Sequence, residues 1–185
     1  MKKKIIITTL VLFISFLLSA ATYRRTSDPL FFSAAITLGT TFYHFAMRLT
    51  VGALIDAKFH NRMDYTKAWF QEKRFEPRLY RMLQVKRWKK YLPTLSPENF
   101  RFHKHNVAAL IQTTCQSELV HEIIMVLSFV PLSFTIWLGG FEIFLVTSCL
   151  AFLFDGSFVV LQRYNRPRLI CYMEKQSDTT AQSVL

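Results

Sequence analysis

The chain has 185 residues, 51% of them hydrophobic, with a mean hydropathy of +0.22, yet it carries 23 Lys+Arg against 12 Asp+Glu. A soluble basic domain that binds nucleic acid is rarely so apolar, and long uncharged runs beside concentrated positive charge are what an integral membrane protein needs. The three cysteines, Cys115, Cys149 and Cys171, show no C-x-x-C spacing, so neither a disulfide framework nor a zinc ribbon is indicated.

In chain order, Lys2-Lys3-Lys4 precedes an apolar run over residues 5–21. Its length exceeds the usual apolar core of a secretory signal, which favours a retained first span over a cleaved leader ending at Ser19-Ala20-Ala21. A second run covers residues 30–57 and places His44 and Arg48 one turn apart on the same helix face. Residues 58–106 contain no span. From Lys58 to Lys104 thirteen Lys/Arg stand against Asp64, Glu72, Glu76 and Glu98, with Tyr65, Trp69, Phe70, Phe75, Tyr80, Trp88 and Tyr91 interleaved. Flanked by spans, such a segment reads as helices lying in the interface of an anionic leaflet rather than on a nucleic acid. Residues 107–116 form a helical lead-in to a third span at about 118–138, Gly139-Gly140 turns the chain, and a fourth span covers 141–161. Pro167 biases Arg166 away from the helical region, so a helix is expected to end or kink there. The Ser/Thr/Gln-rich stretch 174–185 lacks periodicity and reads as a disordered tail. The expected architecture is therefore all-α, a single membrane domain over 1–173 with about four transmembrane helices.

Four spans put Lys2–Lys4, the basic segment and Arg163/Arg166/Arg168 on one side, and the positive-inside rule makes that side cytoplasmic. The expectation is a multi-pass cell-membrane protein with both termini and the polar helix ends facing the cytosol. Arg48 then lies roughly 13 Å from the cytoplasmic end of the second span, and Asp155 about 12 Å before Arg163, at 1.5 Å per residue. Opposite charges at similar depth predict a buried Arg48–Asp155 pair, the usual way intramembrane charge is tolerated.

Two stretches have the residue types for chemistry. Glu118, His121, Glu122 and Met125 share a helix face at the cytoplasmic entry of the third span. A carboxylate one turn from an imidazole can fix its tautomer and stabilise the imidazolium, which makes His121 a candidate general base for a hydroxyl nucleophile. The alternative is an interfacial histidine that satisfies a neighbouring helix. Gln162-Arg163-Tyr164-Asn165-Arg166-Pro167-Arg168-Leu169 closes the last apolar run. Its guanidiniums suit phosphates and carboxylates, and its Asn165 amide suits an oxyanion, although a stop anchor on lipid headgroups has the same composition. A metal site is not expected: Glu118-x-x-His121 lacks the second such pair that di-metal bundles use, even with His103 and His105 as further donors. There is no G-x-S-x-G, Gly-rich phosphate loop or H-E-x-x-H. A covalent serine mechanism is thus unsupported, whereas direct attack by an acceptor hydroxyl on an activated acyl group needs only a base, an oxyanion donor and positioning.

Glu118-Leu119-Val120-His121, followed some forty residues later by the octapeptide 162–169, resembles the glycosyl-4,4'-diaponeurosporenoate acyltransferases, small membrane enzymes of staphyloxanthin-type carotenoid synthesis. The run Val85-Lys86-Arg87-Trp88-Lys89-Lys90-Tyr91-Leu92-Pro93 is similar to that family's basic Trp-Lys segment. The resemblance covers roughly Trp69 to Leu169 and implies acyl transfer to the primary hydroxyl of a sugar on a membrane-embedded terpenoid. The resemblance carries over to Glu118, His121, Gln162, Arg163, Asn165, Arg166 and Arg168 as matching positions. From their chemistry His121 is read as the base, with Glu118 orienting it and Asn165 with Arg163 or Arg166 stabilising the oxyanion or holding donor phosphates. Gln162, Arg163, Arg166, Arg168, Trp88 and Lys89 are the candidate substrate-binding positions. The expected partners are membrane lipid, a glycosylated lipid or carotenoid acceptor, and an acyl-CoA or acyl carrier protein as donor, with no nucleic acid and no resident cofactor. The rival readings are a non-catalytic lipid-binding or assembly protein and a membrane methyltransferase of the isoprenylcysteine type.

Overall fold

The computed structural model describes the backbone of residues 2–92 and 107–182 and the side chains of 3–92 and 107–176. His103, His105, Pro93 and the end of the basic segment lie outside the described residues. The described residues are helical without a strand: α1 (Lys2–Thr26), α2 (Pro29–Phe59), α3 (Glu76–Met82), α4 (Val85–Trp88), α5 (Val107–Leu127), α6 (Thr135–Leu138) and α7 (Phe141–Gln182). Four stretches are long and apolar enough to cross a membrane: Lys3–Thr26, Pro29–Phe59, Val107–Leu138 and Phe141–Gln176. The protein is an all-α membrane protein, as its composition requires.

The chain divides into two compact units, Met1–Leu54 with Glu122–Gly156 and Ile55–His121 with Ser157–Leu185. In the first, α1 and α2 form an antiparallel hairpin. Asp28 caps α2 by accepting the Leu30 N–H at 2.8 Å, and Pro29 occupies the first helical position, where its missing N–H costs nothing. The ring pairs Phe13–Phe42 and Tyr23–Phe32 each have centroids 5.0 Å apart and set the register. Between them Gly39 lets the helices approach, since a Cβ there would sit 3.0 Å from Phe16 Cδ2. Pro131 interrupts the third apolar stretch after Leu127. The chain there tightens into a 3₁₀ turn over Val130–Phe134 before α6, and Gly139 and Gly140, both at positive φ, reverse it into α7.

Arg48 and Asp155 form an ion pair in this unit, the pairing expected from their matched depth. Arg48 also donates to the His44 carbonyl at 3.3 Å and lies over the Phe154 ring at 5.3 Å. Tyr43 donates to the Leu127 carbonyl at 2.9 Å, tying α2 to the end of α5.

In the second unit α2 ends in a sharp turn, with His60 and Asn61 both left-handed. Asn61 anchors that turn: its N–H donates to Gln116 Oε1 at 2.7 Å and its amide to Thr113 Oγ1 at 2.9 Å. Met63 and Phe70 then pack on Cys115 of α5, flanked by Phe59, Tyr65 and Leu119. A separate apolar cluster joins Tyr80 of α3 and Val85 of α4 to Tyr164 of α7, with Trp88 and Val160 at its edge.

Of the end or kink expected at Arg166, the end is absent, since α7 continues through Pro167. The helix departs from expectation further on, remaining helical to Gln182 in place of an aperiodic tail from residue 174. A proline inside a helix costs about 3 kcal/mol. Here the residues just before it, Arg163 and Arg166, are tied by ion pairs to carboxylates elsewhere in the unit, and those contacts outweigh the lost backbone bond.

Candidate active site

The octapeptide is wound into α7, so its residues separate by angle. Gln162, Arg163 and Arg166 fall on one side, Tyr164 and Arg168 on another, and Asn165 between them. The inward group builds a charged clamp. Glu118 of α5, fully buried, receives Arg163 on Oε1 at 2.5 Å and Arg166 on Oε2. Arg163 reaches on to Glu76, with Nε 2.8 Å from Oε1, and donates to the carbonyls of Trp69 and Gln71 at 3.0 Å each. Arg166, 1% exposed, donates to the Phe70 carbonyl at 2.8 Å and to Thr114 Oγ1 at 3.1 Å, and lies over the Phe70 ring. Two carboxylates and two guanidiniums thus neutralise one another, and every guanidinium nitrogen of both arginines has an acceptor. This full satisfaction is what makes buried charge tolerable. The three carbonyls come from consecutive residues, so the clamp fixes the 69–71 loop against α5 and α7.

Glu76 was not singled out from the sequence. It sits at the start of α3, 4% exposed, and also accepts the Tyr80 hydroxyl at 2.7 Å. Burial, and then this bond to a carboxylate, push the Tyr80 phenol well above the usual tyrosine range. Nearby, the Thr66 hydroxyl and N–H both donate to Asp64, holding that carboxyl below its ordinary value.

The candidate base has a different neighbour from the one its spacing suggested. His121 is half-buried, and its ring stacks on Phe158 of α7 with centroids 4.6 Å apart and planes 9° from parallel. Both oxygens of Glu118 go to arginines. Phe158, Gln162 and Asn165 are spaced i, i+4 and i+7 and so form one stripe of α7, with the imidazole over its first member. Along the helix axis Asn165 lies about 10 Å from the Phe158 level, at 1.5 Å per residue. The imidazole thus lies at the Phe158 end of this stripe, and Asn165 lies two turns further along α7.

The outward group is cationic. Lys89, in the 3₁₀ turn after α4, lies 3.5 Å from Asn165 Oδ1 and 5.0 Å over the Tyr164 ring. The Arg168 guanidinium sits 3.6 Å over the same ring and donates to the Tyr164 carbonyl. Tyr80 meets Tyr164 edge-on at 5.4 Å, which holds this platform in place. An open pocket of about 350 Å³ lies alongside, lined by Glu72, Pro167, Arg168 and Cys171. The Trp88 indole donates to the Leu83 carbonyl at 2.8 Å and packs on the apolar cluster.

The end of α7 thus brings an imidazole, two amides and a cationic platform together in an all-helical membrane protein. Residues 66–175, more than half of the chain, match the family described as CrtO, glycosyl-4,4'-diaponeurosporenoate acyltransferase, and the chain belongs to that family. Every clamp residue and every member of the stripe falls inside the matched region. No curated protein and no solved structure was found to match.

Proposed function

We propose that the protein transfers a fatty acyl group from a thioester donor to a hydroxyl of a glycosylated membrane lipid or carotenoid. The observation that carries this reading is the stacking of His121 on Phe158, one turn from Gln162 on α7, inside the region matched by an acyltransferase family. His121 takes the proton from the acceptor hydroxyl as its oxygen attacks the thioester carbonyl. The Gln162 amide, one turn from Phe158, donates to the oxyanion that forms, while Asn165, two turns away, lies beside Lys89 at the donor end. The C–S bond breaks, and the imidazolium returns its proton to the leaving thiolate. Glu118 acts at one remove. Its bonds to Arg163 and Arg166 fix the turn of α5 that carries His121, while Lys89 and Arg168 hold the anionic end of the donor.

We place this site at the cytoplasmic face of the cell membrane. Exposed Trp69, Phe75, Met82 and Tyr91 are interleaved with exposed Lys73, Arg74, Arg78, Arg81, Lys86, Arg87 and Lys90, the mixture that seats a segment in an anionic leaflet. The test is acyl transfer by the purified protein in bilayer discs, from radiolabelled acyl-CoA to a glycosylated carotenoid. His121→Ala should abolish transfer while the protein stays folded, with a loss of about 1 kcal/mol from the ring stack on Phe158; full activity in that variant would remove the base. Absence of transfer by the native chain with either acyl-CoA or acyl carrier protein would favour a lipid-binding role.

A further inference from the structure

In the first unit, the buried stripes of α2 and α7 meet in a seam. On α2 the stripe is Ile36, Thr40, His44, Met47 and Val51; on α7 it is Phe144, Ser148, Ala151 and Asp155. Two contacts set the register. A Cβ on Gly140 would touch Ile36 at 3.4 Å, and Arg48 pairs with Asp155, so the helices run in the same direction along the seam. Counting back from the ion pair at 1.5 Å per residue, His44 lies about 6 Å and Ser148 about 10 Å along the seam. They are thus about one turn apart in height, and both are sealed from the surroundings, at 5% and 0% exposure.

Among the described residues, neither His44 Nδ1, His44 Nε2 nor Ser148 Oγ has a hydrogen-bond partner. The neighbours on these stripes differ. Thr40 donates to the Ile36 carbonyl at 2.7 Å, and Arg48 is engaged by Asp155, the His44 carbonyl and the Phe154 ring. Three buried polar atoms in one short stretch of a membrane-spanning seam are costly unless a further group joins them.

We propose that His44 and Ser148, above the Arg48–Asp155 ion pair, form a binding site for a hydroxyl group. The donor–acceptor inventory selects that chemistry. A neutral imidazole offers one N–H and one lone pair, and a serine hydroxyl can likewise donate and accept. A carboxylate or phosphate would leave the imidazole lone pair unmatched, and an ammonium would face Arg48 while leaving the imidazole N–H idle. A hydroxyl satisfies both kinds of partner at once. It can belong to a buried water, which typically makes two to four such bonds, or to a long-chain alcohol entering from the membrane. The site lies in the first unit, and its existence does not depend on the acyltransferase reading.

The test uses the full chain in bilayer discs with nitrogen-15-labelled histidine, the His44 resonance being assigned by its loss in His44→Phe. Water-edited solid-state magnetic resonance reads contact with water, and dodecanol is added against dodecane as control. A hydrogen-bonded ring with transfer from water protons identifies water as the occupant. A ring that loses that transfer and shifts with dodecanol, but not with dodecane, identifies a membrane alcohol. In Ser148→Ala the signal from whichever hydroxyl is present should fall at least twofold. A dry imidazole indifferent to dodecanol would overturn the proposal, and so would a signal untouched by Ser148→Ala.

Discussion

Glu118 and Arg166 form an ion pair in which neither side chain reaches solvent, at 0% and 1% exposure. Removing one member of such a pair leaves the other buried and uncompensated, which typically costs about 3–5 kcal/mol. Glu118→Ala should therefore lower the stability of the detergent-solubilised protein by that amount, read from its denaturant midpoint. Adding Arg166→Met should recover part of the loss, because a long apolar side chain needs no counter-charge. An unchanged midpoint in Glu118→Ala would mean that the clamp does not hold the fold.

The Arg48–Asp155 pair supports a second double-mutant comparison. Asp155→Leu alone leaves Arg48 without its carboxylate, and Arg48→Met alone removes the guanidinium from Asp155, which is fully buried. Each single variant should unfold more readily than the double variant Arg48→Met/Asp155→Leu, with a coupling of about 1–3 kcal/mol. Additive single effects would show that the two charges contribute independently.

The same two pairs show how far the sequence could be read. Arg48 and Asp155 are lone opposite charges at matched depth, and depth alone brought them together. That logic also applies to Glu118 and the arginines of the last helix, yet the i, i+3 spacing directed Glu118 to His121 instead. Local spacing states which groups can meet on one helix; it is silent about a stronger partner on another. Two guanidiniums outcompete one imidazole for a buried carboxylate because each brings charge and several donors. Glu76 gave no signal at all, since its bond to Arg163 crosses 87 positions. Phe158 was hidden among the apolar residues of a span, where nothing marks a ring that faces His121. The continuation of α7 through Pro167 follows from contacts that a backbone propensity does not contain.

With Arg163 and Arg166 committed to the clamp, Lys89 and Arg168 become the cations that meet the donor. Lys89→Ala and Arg168→Ala should each raise the KM for acyl-CoA about tenfold, the size of one charge-assisted hydrogen bond, with kcat changed far less. The split follows because phosphates are held equally in the ground and transition states. Initial rates at varied acyl-CoA decide it; a fall in kcat with KM unmoved would put these side chains at the reacting carbon instead.

Tyr80 supplies a pH dependence whose sign follows from its surroundings. The folded protein raises its phenol above the unfolded value, through burial first and the Glu76 carboxylate second, so folding favours the protonated form. The resulting stabilisation is fully present below about pH 10, where an unfolded tyrosine keeps its proton. It declines as pH rises beyond that point, because only the unfolded chain then releases the proton. In ultraviolet difference titration, at least one of the seven tyrosines should resist ionisation until the protein unfolds. Tyr80→Phe should remove that resistant step and flatten the alkaline fall in stability. At neutral pH it should cost about 1 kcal/mol, the net value of a hydrogen bond whose acceptor retains Arg163. Were the resistant step to survive in Tyr80→Phe, the assignment of that step to Tyr80 would fall.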